Sequence, residues 1–292
     1  MARIAVTGAN GKAGRAVVAD LLEHGYEVQA SDISGIFGDQ SDIPSGLMRA
    51  DLTEYGEAVD ALHGCEAVIH LANIPAPGIA TPSHTFTVNT AMNSNVFLAA
   101  AALGLRRVVW TSSETTLGLS FTDVPPKYAP VDEDHYPLPF STYSLSKVVG
   151  ETMAHHISEW SGIPFVGLRL SNIFRPQDYA AVPGFQADAH GRSWNLWGYI
   201  DSRDVAQACR VALDADVTGA PSYIIAAADT IMDRSSEELL REVFPDVELK
   251  RPVGEFETLL SIDRAKAELG FAPSHSWRDE VARLASEDIS TS

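Results

Sequence analysis

Short, continuous apolar runs alternate along the chain with longer stretches whose apolar positions recur at helical spacing. Ile4, Ala5 and Val6 form the first run, of the kind buried on both faces of a parallel sheet. Residues 13–24 follow as a helix with Val17, Val18, Leu21 and Leu22 on one face, closed by Gly25. Further runs predict strands at 27–31, 47–50, 67–71, 107–110 and 165–170, with helices near 55–62, 85–103 and 142–160. This rhythm predicts an α/β fold, a doubly wound parallel sheet. Ligands of such sheets sit beyond the carboxyl ends of the strands, so Asp32, Asp51, Ala72, Ser113 and Asn172 are expected to gather along one edge. Between Arg175 and Trp197 the pattern breaks into prolines, glycines and aromatics, which predicts a loop-rich lid or substrate segment. Helices at 201–213, 236–243 and 262–269 and a strand at 222–226 follow. Residues 1–171 are expected to form one domain and 172–292 mostly a small C-terminal substrate lobe, with 199–226 returning to the first sheet.

Gly8, Gly11 and Gly14 lie between the first strand and its helix. A glycine inside an element costs roughly 0.5–1 kcal/mol relative to alanine, so three in a row of turns need a reason. A helix N-terminus offers unpaired N–H groups and a partial positive charge, and glycine lets a phosphate approach the backbone. The alternative is a tight turn with no ligand. Asp32, ending the second strand, stands where a dinucleotide site holds the adenosine ribose hydroxyls. Its charge would repel a 2′-phosphate and no arginine follows it directly, which favours NAD over NADP; a solvated strand-end carboxylate is the alternative.

The strand at Trp110 runs into Thr111-Ser112-Ser113, and a later helix carries Tyr143 and Lys147. Positions i and i+4 share a helix face. An ammonium beside a phenol favours the phenolate, so Lys147 is expected to lower the Tyr143 pKa and fit it for proton transfer to or from a secondary alcohol or ketone. Ser113 is placed to hydrogen-bond the same oxygen. Chance coincidence of a Tyr-x-x-x-Lys pair is the alternative, weakened by the glycine turn and acidic strand end that precede it.

Composition narrows the partners. At 292 residues and 45% hydrophobic the chain is globular. A formal charge of −18, from 39 acidic and 21 basic residues, would repel nucleic acid and acidic membranes, so neither is an expected partner. Lysines are few, which fits a high-salt cytoplasm or an ordinary acidic protein. No apolar run has the length of a membrane span and no signal pattern opens the chain, so the cytoplasm is expected. Cys65 and Cys209 make no disulfide framework. His155 and His156 are helix neighbours that do not share a face, and no metal site is expected. Trp110, Trp194 and Trp197 are candidates either for stacking on a sugar ring or for packing.

Thr7, Gly8, Gly11 and Gly14 together form a T-G-x-x-G-x-x-G turn, and other segments match alongside it: Asp51-Leu52, His70-Leu71-Ala72, Asn89, Ser113, Tyr143, Lys147, 168–172, 199–206 and 267–273. On these the chain resembles the extended short-chain dehydrogenase/reductases, of the NAD-dependent epimerase/dehydratase family, over nearly its whole length. The resemblance implies a Rossmann-type fold, NAD as cofactor and homodimerisation through the 85–103 and 142–160 helices. It implies cofactor contacts from Gly8, Asn10, Gly11, Lys12, Gly14, Asp32, Asp51, Leu52, Leu71, Ala72, Asn89, Thr111, Tyr143 and Lys147, with Lys147 on the nicotinamide ribose. Ser113, Tyr143 and Lys147 match the catalytic trio; Asn73, Ser113, Glu114, Thr115, Asn172 and Arg175 are implied on the substrate side.

Departures from the family pattern point to a substrate class. Ser113-Glu114-Thr115 stands where the sugar-nucleotide dehydratases carry Thr-Asp-Glu, and Leu117-Gly118 where many epimerases carry Tyr-Gly. The 172–199 stretch is shorter than the nucleotide-gripping lobe of the nucleotide-sugar enzymes and is similar in layout to the uronate dehydrogenases. The arginine that binds the carboxylate in those enzymes is Ala180 here, leaving Arg175 or Arg192 to substitute. The resemblance therefore implies an oxidoreductase acting on a small sugar or sugar acid, with a nucleotide-sugar 4-epimerase and a non-catalytic NAD-sensing regulator as alternatives.

Overall fold

The computed structural model describes residues 1–34 and 46–290. Along the chain run β1 (Arg3–Thr7), α1 (Lys12–Glu23), β2 (Glu27–Asp32), β3 (Leu47–Arg49), α2 (Tyr55–Leu62), β4 (Ala67–His70), α3 (Pro82–Leu103), β5 (Arg107–Ser113) and β6 (Tyr128–Ala129). Then come α4 (Thr142–Ser161), β7 (Phe165–Leu170), β8 (Ile173–Phe174), β9 (Ile200–Asp201), α5 (Ser202–Asp214), β10 (Ser222–Ile225), α6 (Ser236–Val243), β11 (Glu248–Leu249), α7 (Asp263–Leu269) and α8 (Trp277–Ser290).

Seven strands form one parallel sheet in the order β10-β7-β5-β4-β1-β2-β3. The winding reverses between β1 and β4, and that reversal opens the crevice in which such folds hold ligands. Successive strand residues point to opposite faces. In β1, Ile4 and Val6 join the core shared with Val17, Val18 and Leu21 of α1, whereas Ala5 joins the opposite core with Val96, Phe97 and Trp110. Helices α1 and α5 pack together, as do α2 with α3 and α3 with α4. Both faces are covered, which is why the strands read as unbroken apolar runs. The sheet is the doubly wound parallel one that the alternation predicts, and the fold is the Rossmann-type arrangement that the resemblance implies.

Three regions differ from the pattern reading. The 175–197 stretch folds into two 3₁₀ segments, Pro176–Phe185 and Ala189–Asn195, around buried Tyr179, Val182 and Ala189. Helix α3 starts at Pro82, since proline is pre-organised for the first turn of a helix and lacks the N–H that would go unpaired there. The β6–β11 and β8–β9 pairs are too short to carry a periodic signal. Among the described residues, no helix is long and apolar enough to cross a membrane.

Candidate active site

The glycine turn is built by exclusion. Gly8 has φ +67°, and a Cβ there would stand 2.6 Å from the Ala72 backbone nitrogen, so the turn lies directly against the end of β4. A Cβ on Gly14 would lie 2.2 Å from the Gly8 carbonyl oxygen. Gly11 is the N-cap of α1; no side chain caps the helix and its first turn holds no acidic residue. The α1 N-terminus therefore keeps free donors and its positive end for an anion. Asp32 ties the second strand to this turn, its Oδ2 accepting the Asn10 N–H at 3.0 Å while Oδ1 accepts from Ser34. An uncapped terminus, glycines with no room for a Cβ and a carboxylate at the end of β2 together fit a dinucleotide.

The other cofactor candidates are placed unequally, some at strand ends and some on helices. Asp51 accepts from Thr53, and these bonds hold its carboxyl below the usual range. Leu52 and Leu71 are buried. The Asn89 amide is taken up by Ile74, accepting from its N–H at 2.7 Å and donating to its carbonyl at 3.1 Å, so it shapes the loop after β4. Lys12 is exposed and pairs with Asp178 at 3.3 Å.

At the end of β5 the trio comes together. A reciprocal cap between Ser141 and Ser144 starts α4 and fixes Tyr143 in its first turn, with Lys147 one turn on. Both side chains are buried. Lys147 Nζ donates to the Thr111 carbonyl at 2.8 Å and stands 5.6 Å from the Tyr143 ring centre. Ser113 Oγ accepts from the Thr115 N–H at 3.2 Å and from its hydroxyl at 3.0 Å. The expected lowering of the tyrosine pKa is not what this geometry produces. Burial pushes the Tyr143 phenol up to about 12, with a hydrogen bond to Ser113 opposing and the Glu114 carboxyl reinforcing. Burial likewise pushes the Lys147 amine down to about 7. Enclosure disfavours both charged forms, and the amine is directed at a carbonyl.

His70, at the end of β4, is a strut. The Thr7 hydroxyl lies 2.7 Å from its Nδ1, and its Nε2 lies 3.1 Å from Asn93 Oδ1, joining β1, β4 and α3 beneath the site. Burial, with Lys147 nearby, holds its pKa at about 3, so the ring is neutral.

On the substrate side, Asn172 follows β7, and its Oδ1 accepts from both terminal nitrogens of Arg192 at 3.2 Å. Glu114 is 3% exposed and accepts from Asn195 Nδ2 at 3.2 Å. Burial pushes its carboxyl up to about 7, against hydrogen bonds and the field of Arg192. Leu196 and Trp197 are buried with φ of 54° and 57°, a left-handed conformation costly for side chains of this size. The Trp197 indole N–H, bonded to the Ala189 carbonyl at 2.7 Å, anchors that turn.

Arg175 does not join this group; its guanidinium is bound to Asp178 at 3.0 and 3.2 Å. Asn73 donates to the Leu71 carbonyl at 2.8 Å. Trp110 and Trp197 are core residues, and Trp194 lies over Arg192, so packing accounts for all three. The sequence offers Arg192 only as a substitute for Ala180, and Asn195 carries no sequence signal; their places depend on the 3₁₀ segments. The two histidines on α4 also depart from the helical-face argument, since His155 Nε2 and His156 Nδ1 both reach Glu159, at 3.4 and 2.9 Å. All three are exposed and form a surface ion-pair group.

Residues 4–226 match the profile of the NAD dependent epimerase/dehydratase family. A UDP-glucose 4-epimerase of Corynebacterium glutamicum is 24% identical over 94% of this chain and 92% of its own. An NAD-dependent glucose-6-phosphate dehydrogenase of Haloferax volcanii is 25% identical over 92% of each chain. Among solved structures, a short-chain dehydrogenase/reductase superfamily protein from Agrobacterium tumefaciens with bound NAD superposes with a TM-score of 0.75 at 21% identity, covering 99% of this chain and 98% of that one.

Proposed function

The chain belongs to the NAD dependent epimerase/dehydratase family, and on that premise we propose that it is a dehydrogenase acting on a secondary alcohol or ketone of a small sugar or sugar acid. It is an NAD-dependent enzyme of the extended short-chain dehydrogenase/reductase type. Bound NAD supplies the hydride acceptor or donor. The chain's own part is proton handling: Tyr143 as phenolate takes the substrate hydroxyl proton in oxidation, and as phenol returns it in reduction. Ser113 steadies the same oxygen as charge develops, and Lys147, when protonated, favours the phenolate and holds the cofactor ribose.

The observation that carries the small-substrate reading is that, of the cations in residues 175–203 and at 250–251, all but Arg192 are paired with carboxylates. Arg175 is held by Asp178, and Arg203 by Asp201 and Glu280. Lys250 lies against Asp132, and Arg251 against Glu257 and Asp263. A nucleotide diphosphate brings at least two negative charges, and burying them demands several free donors. The name of the Corynebacterium relative favours a second reading, a nucleotide-sugar 4-epimerase using the same trio. One experiment separates them: incubation with NAD and a panel of free sugars, sugar acids and UDP-sugars, following NADH and analysing the sugar. Net NADH with a small sugar supports the dehydrogenase; an isomerised UDP-sugar without net NADH overturns it.

The proposed assembly is a homodimer. Leu98, Leu103, Leu145 and Trp160 are exposed on α3 and α4, and a second copy packing these helices against its own would cover them. Light scattering that finds a monomer at micromolar concentration would refute it.

A further inference from the structure

We infer that Glu151 is a positioning residue for the trio, acting through Lys147: its carboxylate, fixed behind the site by Arg169 and Ser112, balances the Lys147 ammonium. This rests on the dehydrogenase reading above, in which Lys147 works with a positive charge, and names the group that supports that charge.

Glu151 lies four residues beyond Lys147 on α4, so the two side chains share a helix face. Both are buried. The carboxylate is held from outside its own helix. Oε1 accepts from the Ser112 hydroxyl at 2.5 Å and from Arg169 Nε at 2.9 Å, and Oε2 accepts from Arg169 Nη2 at 2.9 Å. The Tyr136 hydroxyl bonds it as well, and the Arg169 guanidinium carbon lies 4.3 Å from the Tyr136 ring centre. Ser112 and Arg169 stand opposite each other in the register of β5 with β7. Ser112 also follows Thr111, whose carbonyl takes the Lys147 hydrogen bond at 2.8 Å. The end of β5 thus fixes both the amine and the carboxylate one helical turn from it.

A buried arginine–glutamate pair does little for stability by itself, because taking two charges out of water offsets their attraction. Its place beside Lys147 gives it another consequence. Burial pushes the Lys147 amine down to about 7, and the charge that opposes burial is that of Glu151. The other titratable groups around the amine offer no such support. Tyr143 is a phenol pushed up to about 12, and His70, on β4, is neutral. Groups that face Glu151 from elsewhere are engaged with other partners. A cavity of about 380 Å³ beside the pair is lined by Glu133, Asp134, Tyr136, His155 and Arg264 among others. Of these, Glu133 accepts the Ile224 N–H, His155 is bound to Glu159, and Arg264 to Glu268.

The test reads Lys147 directly in the full-length protein. The chain has five lysines, so labelling with ¹³C-lysine gives one Cε signal for each, and Lys147→Arg identifies the one that belongs to Lys147. Its titration by NMR needs no substrate. In Glu151→Gln the midpoint should move to lower pH, the amine-to-ammonium ratio at a given pH rising about 10-fold or more, the scale for losing a nearby opposite charge. Glu151→Asp keeps the charge and should stay close to the wild type. A stranded buried guanidinium is strongly destabilising, so if Glu151→Gln does not fold, the double variant of Glu151→Gln with Arg169→Gln removes both charges. Its Lys147 midpoint should still lie below that of the wild type.

Turnover of a sugar that yields NADH supplies the second reading. The Glu151→Gln deficit in oxidation should be small at acid pH, where Lys147 is an ammonium in both proteins, and should grow to about 10-fold at alkaline pH. A clamp that only held α4 in place would lower turnover by the same factor throughout. An unmoved Lys147 midpoint, or a deficit that does not change with pH, overturns the role of Glu151. NADH formation with an unmoved midpoint would sink this inference and leave the dehydrogenase reading standing. A shifted midpoint with no sugar yielding NADH would do the reverse.

Discussion

Lys147 Nζ lies 5.6 Å from the centre of the Tyr143 ring and directs its hydrogen bond to the Thr111 carbonyl, 2.8 Å away. The two side chains share a helix face, yet their coupling is through space. With the phenol pushed up to about 12 and the amine down to about 7, the fold keeps both groups neutral more readily than solvent would. Tyr143→Phe keeps the ring and removes only the hydroxyl. NAD should still bind, and kcat should fall about 10²-fold or more, the scale for general acid–base groups. Stopped-flow hydride transfer with cofactor titration alongside checks this; near-normal turnover removes Tyr143 from the mechanism.

Asp32 is expected to set the cofactor's identity: its carboxylate accepts the Asn10 N–H in the glycine turn, and a dinucleotide's adenosine ribose would lie there. Asp32→Ala should weaken NAD binding and narrow the gap to NADP. Fluorescence titration with both reduced cofactors measures the gap, and a wild type that prefers NADPH contradicts the assignment.

Gly14 has no room for a side chain, since a Cβ would stand 2.2 Å from the Gly8 carbonyl oxygen. Gly14→Ala should force α1 away from the turn, lowering stability by about 1–3 kcal/mol, as overpacking does, and abolishing tight NAD binding. Gly25→Ala is a useful contrast: Gly25 has φ +81° and open space around it, so only backbone strain of about 1 kcal/mol is expected and NAD binding should persist. Chemical denaturation and NAD titration of the two variants should diverge. Matching NAD affinities would show that the turn does not hold the cofactor.

Glu114 makes stability depend on pH with a definite sign. An unfolded glutamate titrates near about 4.3, whereas burial pushes Glu114 up to about 7 in the folded chain. Between those values the folded state holds a proton that the unfolded state has lost. The Glu114 contribution therefore falls as pH rises through the window and stays low above it. Glu114→Gln removes this dependence, so the variant should gain on the wild type between about pH 5 and about pH 8, by a few kcal/mol at most. Urea unfolding at both ends of the range measures it. A constant difference between the two proteins would mean that Glu114 ionises freely.

The sequence by itself determined the sheet, the glycine turn and the pairing of Tyr143 with Lys147, because each is carried by a local signal. Strands buried on both faces must be apolar without interruption, so β1, β4, β5 and β7 are legible as runs. A four-residue spacing puts two side chains on one helix face whatever surrounds the helix. What only the tertiary structure decided is how each group is charged and what each of two similar residues is paired with. Arg175 and Arg192 look alike in the sequence. Folding gives Arg175 to Asp178 and carries Arg192 among three aromatic rings with no carboxylate partner among the described residues. Tyr143 was expected to have its proton loosened by Lys147; the surrounding chain encloses it and tightens the proton instead. Ionisation follows from desolvation, and desolvation depends on how much of the rest of the chain, distant in sequence, packs around a group.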